Sequence, residues 1–494
     1  MEIMSEICDS NNCYGCALCV GICPVKAVSM VLEHGFWHPR INYDKCVKCM
    51  KCTNCCPGND NGSIRRLGLI HHCFATYSKD DKMHFNSASG GLCSEISRQF
   101  IKRGGFVAGS WFNPDKQIVE HTIVDNINDL DLLKGSKYVQ SNIETIYTEL
   151  SLRLKQQEGL FIGMPCQVMA IKRYSSELRL EGKLYTIDLI CHGGASPECF
   201  KEHTNMIMQG PTYKISFRGG VNDCYLCLYD ANNTLTYRGS MFSDPYFNCF
   251  MEHTIFRPQC YECVYAGAER VGDLTIGDFW GLDKSYLPRT GGNGINVVII
   301  NNHRGNNIFN YALGLLNTVE RPLTEAIAGN DTLRKPTKKP LEYDDFWAKI
   351  ESEGFIKALD YYSNNEWDNR VKQCIKETRE YKVSENIFKI TCNIKIYTIK
   401  KFSDKKKIWI YSAGKGARIL SDILEENNIK FMGYIDKNWK NIDKIQDKRV
   451  ISINHIDVKE SYVIVALMRY APDIIEELKD KGFENEQICT IVSE

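Results

Sequence analysis

Excess charge of one sign, long apolar runs and an export signal are all missing from this sequence. Lys and Arg together number 61, as do Asp and Glu, so the formal net charge is zero. A neutral chain lacks the basic footprint of nucleic-acid binding and the polybasic anchor of a membrane-surface protein. No apolar run approaches the roughly 18 to 20 residues that cross a bilayer, and MEIMSEICDSNN lacks signal-peptide regions. We therefore expect a cytoplasmic protein with no membrane span and no nucleic-acid partner.

Cysteine, by contrast, is abundant: there are 23, and ten of them lie within the first 56 residues. In a long chain without an export signal, clustered cysteine indicates metal ligation more often than disulfides. The length of 494 residues and the 43% hydrophobic content allow about three globular domains. The cysteine-rich start is therefore expected to be a separate metal-binding module.

Two segments repeat one cysteine spacing, and each ends in Cys-Pro. CYGCALCVGICP (13–24) and CVKCMKCTNCCP (46–57) follow the C-x₂-C-x₂-C-x₃-C-P run of two-cluster bacterial ferredoxins, in which the fourth cysteine ligates the other cluster. We therefore predict two 4Fe-4S clusters. Their predicted ligands are Cys13, Cys16, Cys19 and Cys56 for the first, and Cys46, Cys49, Cys52 and Cys23 for the second. A zinc site would leave four of these eight unexplained, and Cys8 and Cys55 are predicted to be non-ligands.

The middle of the chain contains several unusual strings in a fixed order. They are SASGGLCSEI (87–96), KGSKYVQS (134–141), GMPCQVMAIKR (163–173), DLICHGGASPECF (188–200) and FRPQCYECVYAGAERVGDLTIGDFWG (256–281). Together they resemble the beta-subunit family of coenzyme F-420 hydrogenases and dehydrogenases, which are flavin and iron-sulfur proteins. The resemblance spans residues 71–330, and members of this family often have an N-terminal two-cluster ferredoxin module.

The resemblance implies that FAD is bound beside two of these strings. Ser87, Ser89, Gly90 and Gly91 form a small-residue turn before a helix-like pattern, and such a turn exposes N–H groups that suit a phosphate. The segment Lys134-Gly135-Ser136-Lys137, followed by Tyr138, adds two cations and a hydroxyl that could hold a pyrophosphate. Either segment alone would be an ordinary loop. The other predicted FAD contacts are Gly163, Pro165, Gln167, Phe279 and Trp280.

Four more cysteines occupy motif positions in these strings: Cys166 in GMPCQ, Cys191 in LICHG, and Cys260 and Cys263 in CYEC. By resemblance, they are expected to bind a third 4Fe-4S cluster beside the flavin. The alternative is that Cys166 and Cys191 are buried apolar cysteines and that the C-x₂-C pair, Cys260 and Cys263, binds no metal. Cys199 and Cys249 are competing thiols. Cys224-x-x-Cys227 is a rival pair, but its surroundings (DCYLCLYD) alternate like a solvent-facing strand.

Two side chains at the expected pocket are candidate catalytic residues. Asp278 follows an alternating run and a glycine, and His192 lies between Cys191 and a glycine pair. Asp273 or Asp278 could instead cap a turn, which is common for Asp beside Gly. A lone histidine such as His192 is more often structural than catalytic.

The last 90 residues have the layout of a dinucleotide-binding fingerprint. The strand-like IWIY precedes YSAGKGA (411–417) and a helix-like pattern, and the strand-like GYID ends at Asp436. Ser412 and Ala417 replace two of the expected glycines. The segment resembles the small Rossmann-like domains attached to sugar-modifying acyltransferases. Nucleotide or nucleotide-sugar binding, with predicted contacts Gly414, Gly416 and Asp436, and a structural role both stay open.

The predicted fold class is α+β multidomain. It has a bacterial 2×4Fe-4S ferredoxin fold (1–63), a central α/β flavin-binding body (70–330), a helical connection (331–404) and a Rossmann-like α/β domain (405–494). The predicted function is an oxidoreductase that passes electrons between a one-electron carrier such as ferredoxin, the clusters, FAD and a hydride-accepting or organic small molecule. The alternatives are a non-catalytic electron-transfer subunit with a partner redox subunit, and a nucleotide- or sugar-responsive scaffold with structural or sensory clusters.

Overall fold

The structure is a computed structural model of a mixed α+β chain. It describes residues 7–60, 72–208, 210–218, 224–283, 287, 294–362, 367–403, 405–442, 444–467 and 472–492. The chain divides into two compact units, Met1–Asp283 with Gly294–Ile375, and Lys284–Asn293 with Lys376–Glu494. The four domain boundaries expected from the sequence stay predictions, and each unit is described by itself.

The N-terminal segment of the first unit folds as two copies of one short motif. Its elements are the helices α1 (Leu18–Gly21) and α2 (Lys51–Asn54) and the antiparallel strands β1 (Val28–Glu33) and β2 (Phe36–Ile41). The residue before each helix is left-handed, with φ of 52° at Ala17 and 57° at Met50. Gly15 and Lys48, two residues earlier, are also left-handed. Because such residues turn the chain sharply, both cysteine runs curl in the same way.

The rest of the first unit is built on an eight-stranded sheet and a small three-stranded sheet. Its strands, in chain order, are β3 (His72–Ser78), β4 (Phe106–Asn113), β5 (Ile118–Val124), β6 (Gly159–Gly163), β7 (Leu184–Leu189), β8 (Lys214–Ser216), β9 (Tyr225–Tyr229), β10 (Leu235–Ser240), β11 (Leu274–Asp278), β12 (Asn296–Ile300) and β13 (Leu316–Arg321). The large sheet has the order β13-β3-β12-β11-β7-β6-β4-β5, and the small sheet has the order β10-β9-β8.

Five strands of the large sheet run in the same direction. β4, β6, β7 and β11 pair parallel in that order, while β12 is antiparallel to both β11 and β3. β3 therefore has the same direction as β11, and the carboxyl ends of all five strands lie at one edge of the sheet. In open α/β sheets this edge is where ligands bind.

Helices pack against this sheet through faces whose apolar residues recur at helical spacing. The helices of this part of the unit are, in chain order, α3 (Asp81–Phe85), α4 (Leu92–Lys102), α5 (Ile146–Leu154), α6 (Pro165–Glu177), α7 (Pro197–Ile207), α8 (Pro245–Met251), α9 (His303–Ala312), α10 (Leu323–Gly329), α11 (Tyr343–Glu353) and α12 (Phe355–Tyr362). Those in contact with the sheet include α4, α6 and α9. In α4, for example, Leu92, Ile96 and Phe100 are buried four residues apart. Within the described part of the chain, no helix is long and apolar enough to cross a membrane.

The second unit is built on a six-stranded sheet. Its elements are α13 (Trp367–Ser403, in this unit from residue 376), β14 (Lys407–Tyr411), α14 (Lys415–Glu426), β15 (Gly433–Ile435), β16 (Lys444–Ile445), β17 (Lys448–Ile451), β18 (Ser461–Leu467), α15 (Pro472–Asp480) and β19 (Ile488–Val492). The strand order is β16-β17-β15-β14-β18-β19, and every pair except β16·β17 is parallel. The strand, helix and second strand expected around residues 407–435 are present.

Candidate metal centres

The structure brings together the four cysteines of the first predicted set. Cys13, Cys16 and Cys19 lie just before and within α1, and Cys56 comes from the end of the second cysteine run. All four line one cavity with about 330 Å³ of empty space, part of it open to solvent. Burial raises the pKa of Cys16, and the negative charges of Cys56 and Cys13 raise it further. The crossed arrangement expected from the repeat is therefore present around a cavity lined by facing thiols.

A fifth thiol, that of Cys8, lies in the same cavity. Cys8 is buried within hydrogen-bonding reach of Cys13 and Cys56, and these contacts raise its pKa. The chain packs closely here, because a Cβ added to Gly58 would lie 3.1 Å from the Cys8 Sγ. The spacing of the cysteine runs gave no signal for this proximity. That Cys8 is a non-ligand stays a prediction.

The second predicted set is more exposed than the first. Cys23 follows α1, and its Sγ accepts a hydrogen bond from the Ala27 N–H at 3.2 Å. Burial raises the pKa of Cys52, in α2, and the charge of Cys23 adds a smaller contribution. Cys46 and Cys49 lie in the loop before α2, and Cys49 is solvent-exposed. This set therefore lies at the surface of the unit.

Among the residues that the structure describes, no three His, Cys, Asp or Glu side chains are gathered closely enough to ligate a single metal ion. In a 4Fe-4S cluster the four cysteines bind different irons at the corners of a cubane. Their sulfurs therefore lie further apart than the four ligands around one zinc ion, where Zn–S is about 2.3 Å. The absence of a single-ion site among the described residues therefore does not bear on a cluster, and ligation of clusters by these cysteines stays a prediction.

The structure also brings together Cys166, Cys191, Cys260 and Cys263, which come from three distant parts of the chain. Cys166 is in the first turn of α6 and Cys191 follows β7, while Cys260 lies within the 3₁₀ turn Pro258–Glu262 and Cys263 directly follows that turn. Burial raises the pKa of Cys166, and the charges of Cys263, Cys191 and Cys260 raise it further. Because β6 and β7 are adjacent and parallel, the residues that follow them meet at the carboxyl edge of the sheet.

The competing thiols lie elsewhere in the first unit. Cys199 and Cys249 are buried in the hydrophobic core that contains Phe200 and Phe247. Burial raises the pKa of Cys199, and Cys249 is among the charges that act on it. Cys224 lies near Tyr138, and its charge contributes to the raised pKa of that residue. The strand that contains Cys227 alternates between half-buried and buried residues. Its outer face is therefore less exposed to solvent than the sequence suggested.

A buried ion pair fixes the loops that present the second group of four cysteines. Asp188, at the end of β7, accepts from the N–H groups of Val271 and Gly272 at 3.1 and 3.0 Å. Its other oxygen lies 3.3 Å from Arg270, which in turn donates to the Leu189 carbonyl at 2.9 Å. The loop after Cys263 is therefore tied to the strand that leads to Cys191.

Two tyrosines lie between the first and third sets of cysteines. The rings of Tyr14 and Tyr265 meet edge-on with centroids 5.2 Å apart. Burial raises the pKa of Tyr14, with added contributions from Cys263 and Cys166. Burial also raises the pKa of Tyr265, and the charges of Cys166 and Cys16 raise it further. These aromatic contacts were not foreseen, because a tyrosine next to a cysteine has no motif of its own.

The first predicted FAD segment lies at the carboxyl end of β3. The Ser78 N–H donates to the Gly90 carbonyl at 2.7 Å, and a Cβ added to Gly90 would lie 2.6 Å from the Thr76 carbonyl oxygen. Gly91, with φ of 81°, precedes α4, and Ser87 donates to the Met83 carbonyl at 2.6 Å. The buried Ser89 hydroxyl has no hydrogen-bond partner among the described residues. The turn is therefore rigid, and it offers one buried polar group to a ligand.

In the second predicted FAD segment, the two lysines that were expected to contact a phosphate contact other groups of the protein. The Lys137 ammonium donates to the main-chain carbonyls of Ser110, Leu133 and Lys134 at 2.9, 3.1 and 2.8 Å, and a fourth, that of Leu132, lies at 3.4 Å. Burial lowers the pKa of Lys137 to about 7. Lys134 pairs with Asp131, while Gly135 and Ser136 are exposed. Both cations of this segment therefore already have partners within the protein, and contact of the segment with FAD stays a prediction.

Gly163, Pro165 and Gln167 form the turn between β6 and α6. The Gln167 side chain accepts from the Met164 N–H at 3.1 Å and donates to the Ser141 hydroxyl at 3.0 Å. Pro165 is the first residue of α6, where its missing N–H costs nothing. Both the oxygen and the nitrogen of the Gln167 side chain thus have hydrogen-bond partners within the protein, and the turn positions Cys166.

Asp278 and His192 lie near each other at the carboxyl edge of the sheet. The Asp278 carboxylate pairs with Arg218 at 2.5 Å, and the Arg218 Nε and Nη2 are buried without partners among the described residues. His192 lies at the surface, but the protein around it partly removes its solvation and so lowers its pKa. The charge of Asp278 opposes this shift. Burial raises the pKa of Tyr138, on which Arg218 and Asp278 also act. Arg218 was not foreseen, because the sequence around it matched no motif.

Three other residues of this edge differ in exposure. Phe279 is buried, whereas Trp280 is 47% exposed. Asp273 is buried and accepts from the Thr186 N–H and hydroxyl at 2.8 and 2.9 Å. Asp273 therefore holds β7 and β11 together, the structural role left open for it in the sequence.

In the second unit, the glycine-containing turn follows β14. Gly414 precedes α14, and a Cβ added to Gly416 would lie 2.9 Å from the Ala466 carbonyl oxygen. Ser412 is left-handed at φ of 99°. One Asp436 oxygen accepts from the Ala413 N–H at 2.9 Å. Gly416 thus permits close packing of helix on strand, and Asp436 holds the turn.

Comparison with known proteins gives two family matches. Residues 157–320 match the family model for the C terminus of the coenzyme F420 hydrogenase/dehydrogenase beta subunit, and residues 12–60 match that of a 4Fe-4S dicluster domain. No curated protein matches the chain. A chain of the F420-reducing [NiFe] hydrogenase complex from Methanosarcina barkeri, studied by xenon derivatization, aligns with 60% of this chain and 92% of its own length, at 17% identity and a TM-score of 0.38. The two family matches confirm the resemblance and the ferredoxin-like start expected from the sequence.

Proposed function

We propose, from the premise that this chain is an iron-sulfur redox protein related to the beta subunits of coenzyme F420 hydrogenases and dehydrogenases, that it is an oxidoreductase with three 4Fe-4S clusters and FAD. Electrons pass between an external one-electron carrier, the second and first clusters, a third cluster at Cys166, Cys191, Cys260 and Cys263, and the flavin. The terminal acceptor or donor is a hydride-accepting or organic small molecule. FAD exchanges single electrons for pairs.

The observation that supports this proposal most is the convergence of four cysteines from distant parts of the chain. The charges of Cys263, Cys191 and Cys260 raise the pKa of Cys166, which indicates that the four thiols lie near one another. Tyr14 and Tyr265 lie between this group and the first set. A continuous series of redox sites from the N-terminal module to the sheet edge follows from this arrangement.

The second cluster is proposed as the port for the external carrier. Its ligand Cys49 is exposed, as are the neighbouring Val47 and Met50 at 60% and 42%. The surrounding exposed cations are Lys26, Lys45, Lys48 and Lys51. A positively charged rim around an apolar centre fits an acidic carrier such as a ferredoxin, because opposite charges speed association.

The flavin is proposed to lie at the carboxyl edge of the large sheet, beside the third cluster. Ser89 and Arg218 offer buried polar atoms there that lack partners among the described residues. His192 and Asp278 lie near each other at the same edge, where one could hold or release a proton for a bound substrate. The fixed Lys137 would support the nearby loop without contacting a phosphate.

The second unit is proposed to be a Rossmann-like domain that binds a nucleotide or nucleotide-sugar. Apart from the short edge strand β16, its strand order places the first strand, β14, between β15 and β18, as in one half of a doubly wound sheet. The turn at Gly414 and Gly416 opens α14 next to Asp436. Both Asp436 carboxylate oxygens already accept main-chain hydrogen bonds, one from the Ala413 N–H and the other from the Asn438 N–H, so a bound ligand would share these oxygens with the turn.

A second candidate is a non-catalytic electron-transfer subunit, since the matched family is described by its beta subunit. In that case the exposed Trp280 at the sheet edge would contact a partner redox subunit. The two candidates share the clusters and differ in whether reduced protein turns over a small molecule alone.

The test is anaerobic rapid mixing of the holoprotein with reduced ferredoxin, following the flavin absorbance. In the wild type the flavin bleaches. We expect Cys56→Ser to slow bleaching roughly tenfold or more, because it removes a ligand of the first cluster. The adjacent thiol variant Cys55→Ser serves as control and should bleach like the wild type. Equal bleaching in Cys56→Ser, or protein purified without flavin, would refute the proposed path.

A further inference from the structure

One buried cation has no acidic partner among the residues that the structure describes. The Arg257 side chain is 1% exposed, and its three donor contacts are to neutral acceptors. It donates to the carbonyls of Cys13, at 2.8 Å, and Trp37, and to the Gln140 side-chain oxygen at 3.3 Å. Within the described part of the chain, no carboxylate lies within ion-pair distance of it. A buried charge is costly unless an opposite charge compensates it.

Arg257 lies between the first and third sets of cysteines. On one side its guanidinium bonds the carbonyl of Cys13. On the other, the Cys260 N–H donates to the Arg257 carbonyl at 2.8 Å, and the Arg257 N–H donates to the Gly194 carbonyl at 3.0 Å. Gly194 in turn donates its N–H to the Cys260 Sγ at 3.2 Å. One residue is thus bonded to ligand segments of both proposed clusters.

The guanidinium is also fixed in orientation. Gln140, which accepts from Arg257, donates through its Nε2 to the Tyr14 carbonyl at 3.0 Å. A Cβ added to Gly15 would lie 3.0 Å from the Arg257 Nη2 and 2.9 Å from the Gln140 Nε2. Glycine is therefore needed at position 15, and its φ of 62° favours glycine as well. The charge cannot move away from the first cysteine run.

We propose that Arg257 is the shared counter-charge of the first and third clusters and raises the reduction potential of both. This inference rests on the proposed function, which supplies the third cluster. Reduction adds one electron to a cluster, taken from the reduced one-electron carrier, and neither makes nor breaks a bond. The added negative charge is stabilised by a fixed cation nearby, more so in a water-poor interior. Arg257 thereby keeps two successive sites reducible by the same carrier.

The test is a redox titration of the anaerobically purified holoprotein, monitored by EPR. Arg257→Met should lower the reduction potential of the first cluster by at least about 59 mV, a tenfold change in a one-electron equilibrium. Arg257→Lys, which keeps the charge, should restore most of it. Arg173→Met is the matched control, because Arg173 also donates to a cysteine carbonyl, that of Cys55, but is paired with Asp60. Its shift should be clearly smaller.

Gln140→Glu tests the same inference without removing the arginine. It places a carboxylate against Arg257 and should lower the potential in the same direction, even if Arg257→Met does not fold. Unchanged potentials in whichever of these two variants folds, or an equal shift in Arg173→Met, would overturn the inference. Iron analysis separates the two proposals: protein with two clusters refutes the third cluster, while the potential of the first still reports on Arg257.

Discussion

At the scale of single residues, position in the fold separates the thiols that face other thiols from those that fill space. Cys166 and Cys199 are both associated with helix starts, at α6 and α7, and burial raises the pKa of each. After burial, the charges that act most on Cys166 come from three other cysteines, whereas Cys199 is hydrogen-bonded by Ser196. The sequence distinguished them by motif position alone, and the structure supplies the physical difference.

The buried His121 should make the protein sensitive to mild acid. Its ring stacks on Phe161 with centroids 5.1 Å apart, and Nε2 donates to the Ile162 carbonyl at 3.1 Å. Burial lowers its pKa from 6.5 to about 4. Between these values the unfolded chain binds a proton that the folded chain does not. Stability is therefore lost as the pH falls from about 6.5 to about 4, by about 3 kcal/mol in all.

The measurement is urea unfolding at pH 7 and pH 5 for the wild type and His121→Gln, which removes the titrating group. We expect the wild type to lose about 2 kcal/mol more than the variant between these values. An equal loss in both proteins would show that His121 takes up its proton in the folded state at its ordinary pKa.

At the scale of secondary-structure elements, the site depends on parallel strands that end at one edge. β6 leads to Cys166, β7 to Cys191 and β11 to Asp278. The apolar runs before these residues allowed strand ends to be predicted, but strand order was beyond the sequence. The order β11-β7-β6 makes them neighbours, and the Asp188–Arg270 pair ties in the loop after Cys263.

Breaking this pair should both destabilise the first unit and release the third cluster. In Asp188→Asn the buried Arg270 loses its charged partner, while the one remaining side-chain oxygen can still accept from the Val271 and Gly272 N–H groups. We expect the free energy of unfolding to fall by about 3 to 5 kcal/mol. Urea unfolding gives the loss, and iron analysis of the same sample should show one cluster fewer.

The double variant Asp188→Asn with Arg270→Met is the control for the charge interaction. It leaves no unpaired charge, so it should be more stable than the sum of the two single changes predicts. Additive losses would mean that Asp188 acts through its main-chain hydrogen bonds alone, and that the ion pair contributes nothing.

At the scale of the whole molecule, local patterns were predictable from the sequence and long-range contacts were not. The repeat of Cys-Pro runs gave the N-terminal module, and period-2 and helical spacing gave the start of the second unit. Arg257, Tyr14 and Arg218 went unnoticed, because their partners lie up to 245 positions away in the chain. The phosphate contact of KGSK stays a prediction, and a sequence does not show that the Lys137 ammonium is enclosed by main-chain carbonyls.

The central claim is that Cys166, Cys191, Cys260 and Cys263 hold a third cluster, and iron counting with EPR on anaerobically purified protein tests it most directly. The wild type should contain about twelve irons per chain, and Cys260→Ser about eight, with the ferredoxin-type signals unchanged. Cys224→Ser, from the rival C-x₂-C pair, should keep all of the iron. About eight irons in the wild type, or loss of iron from Cys224→Ser in place of Cys260→Ser, would contradict the claim.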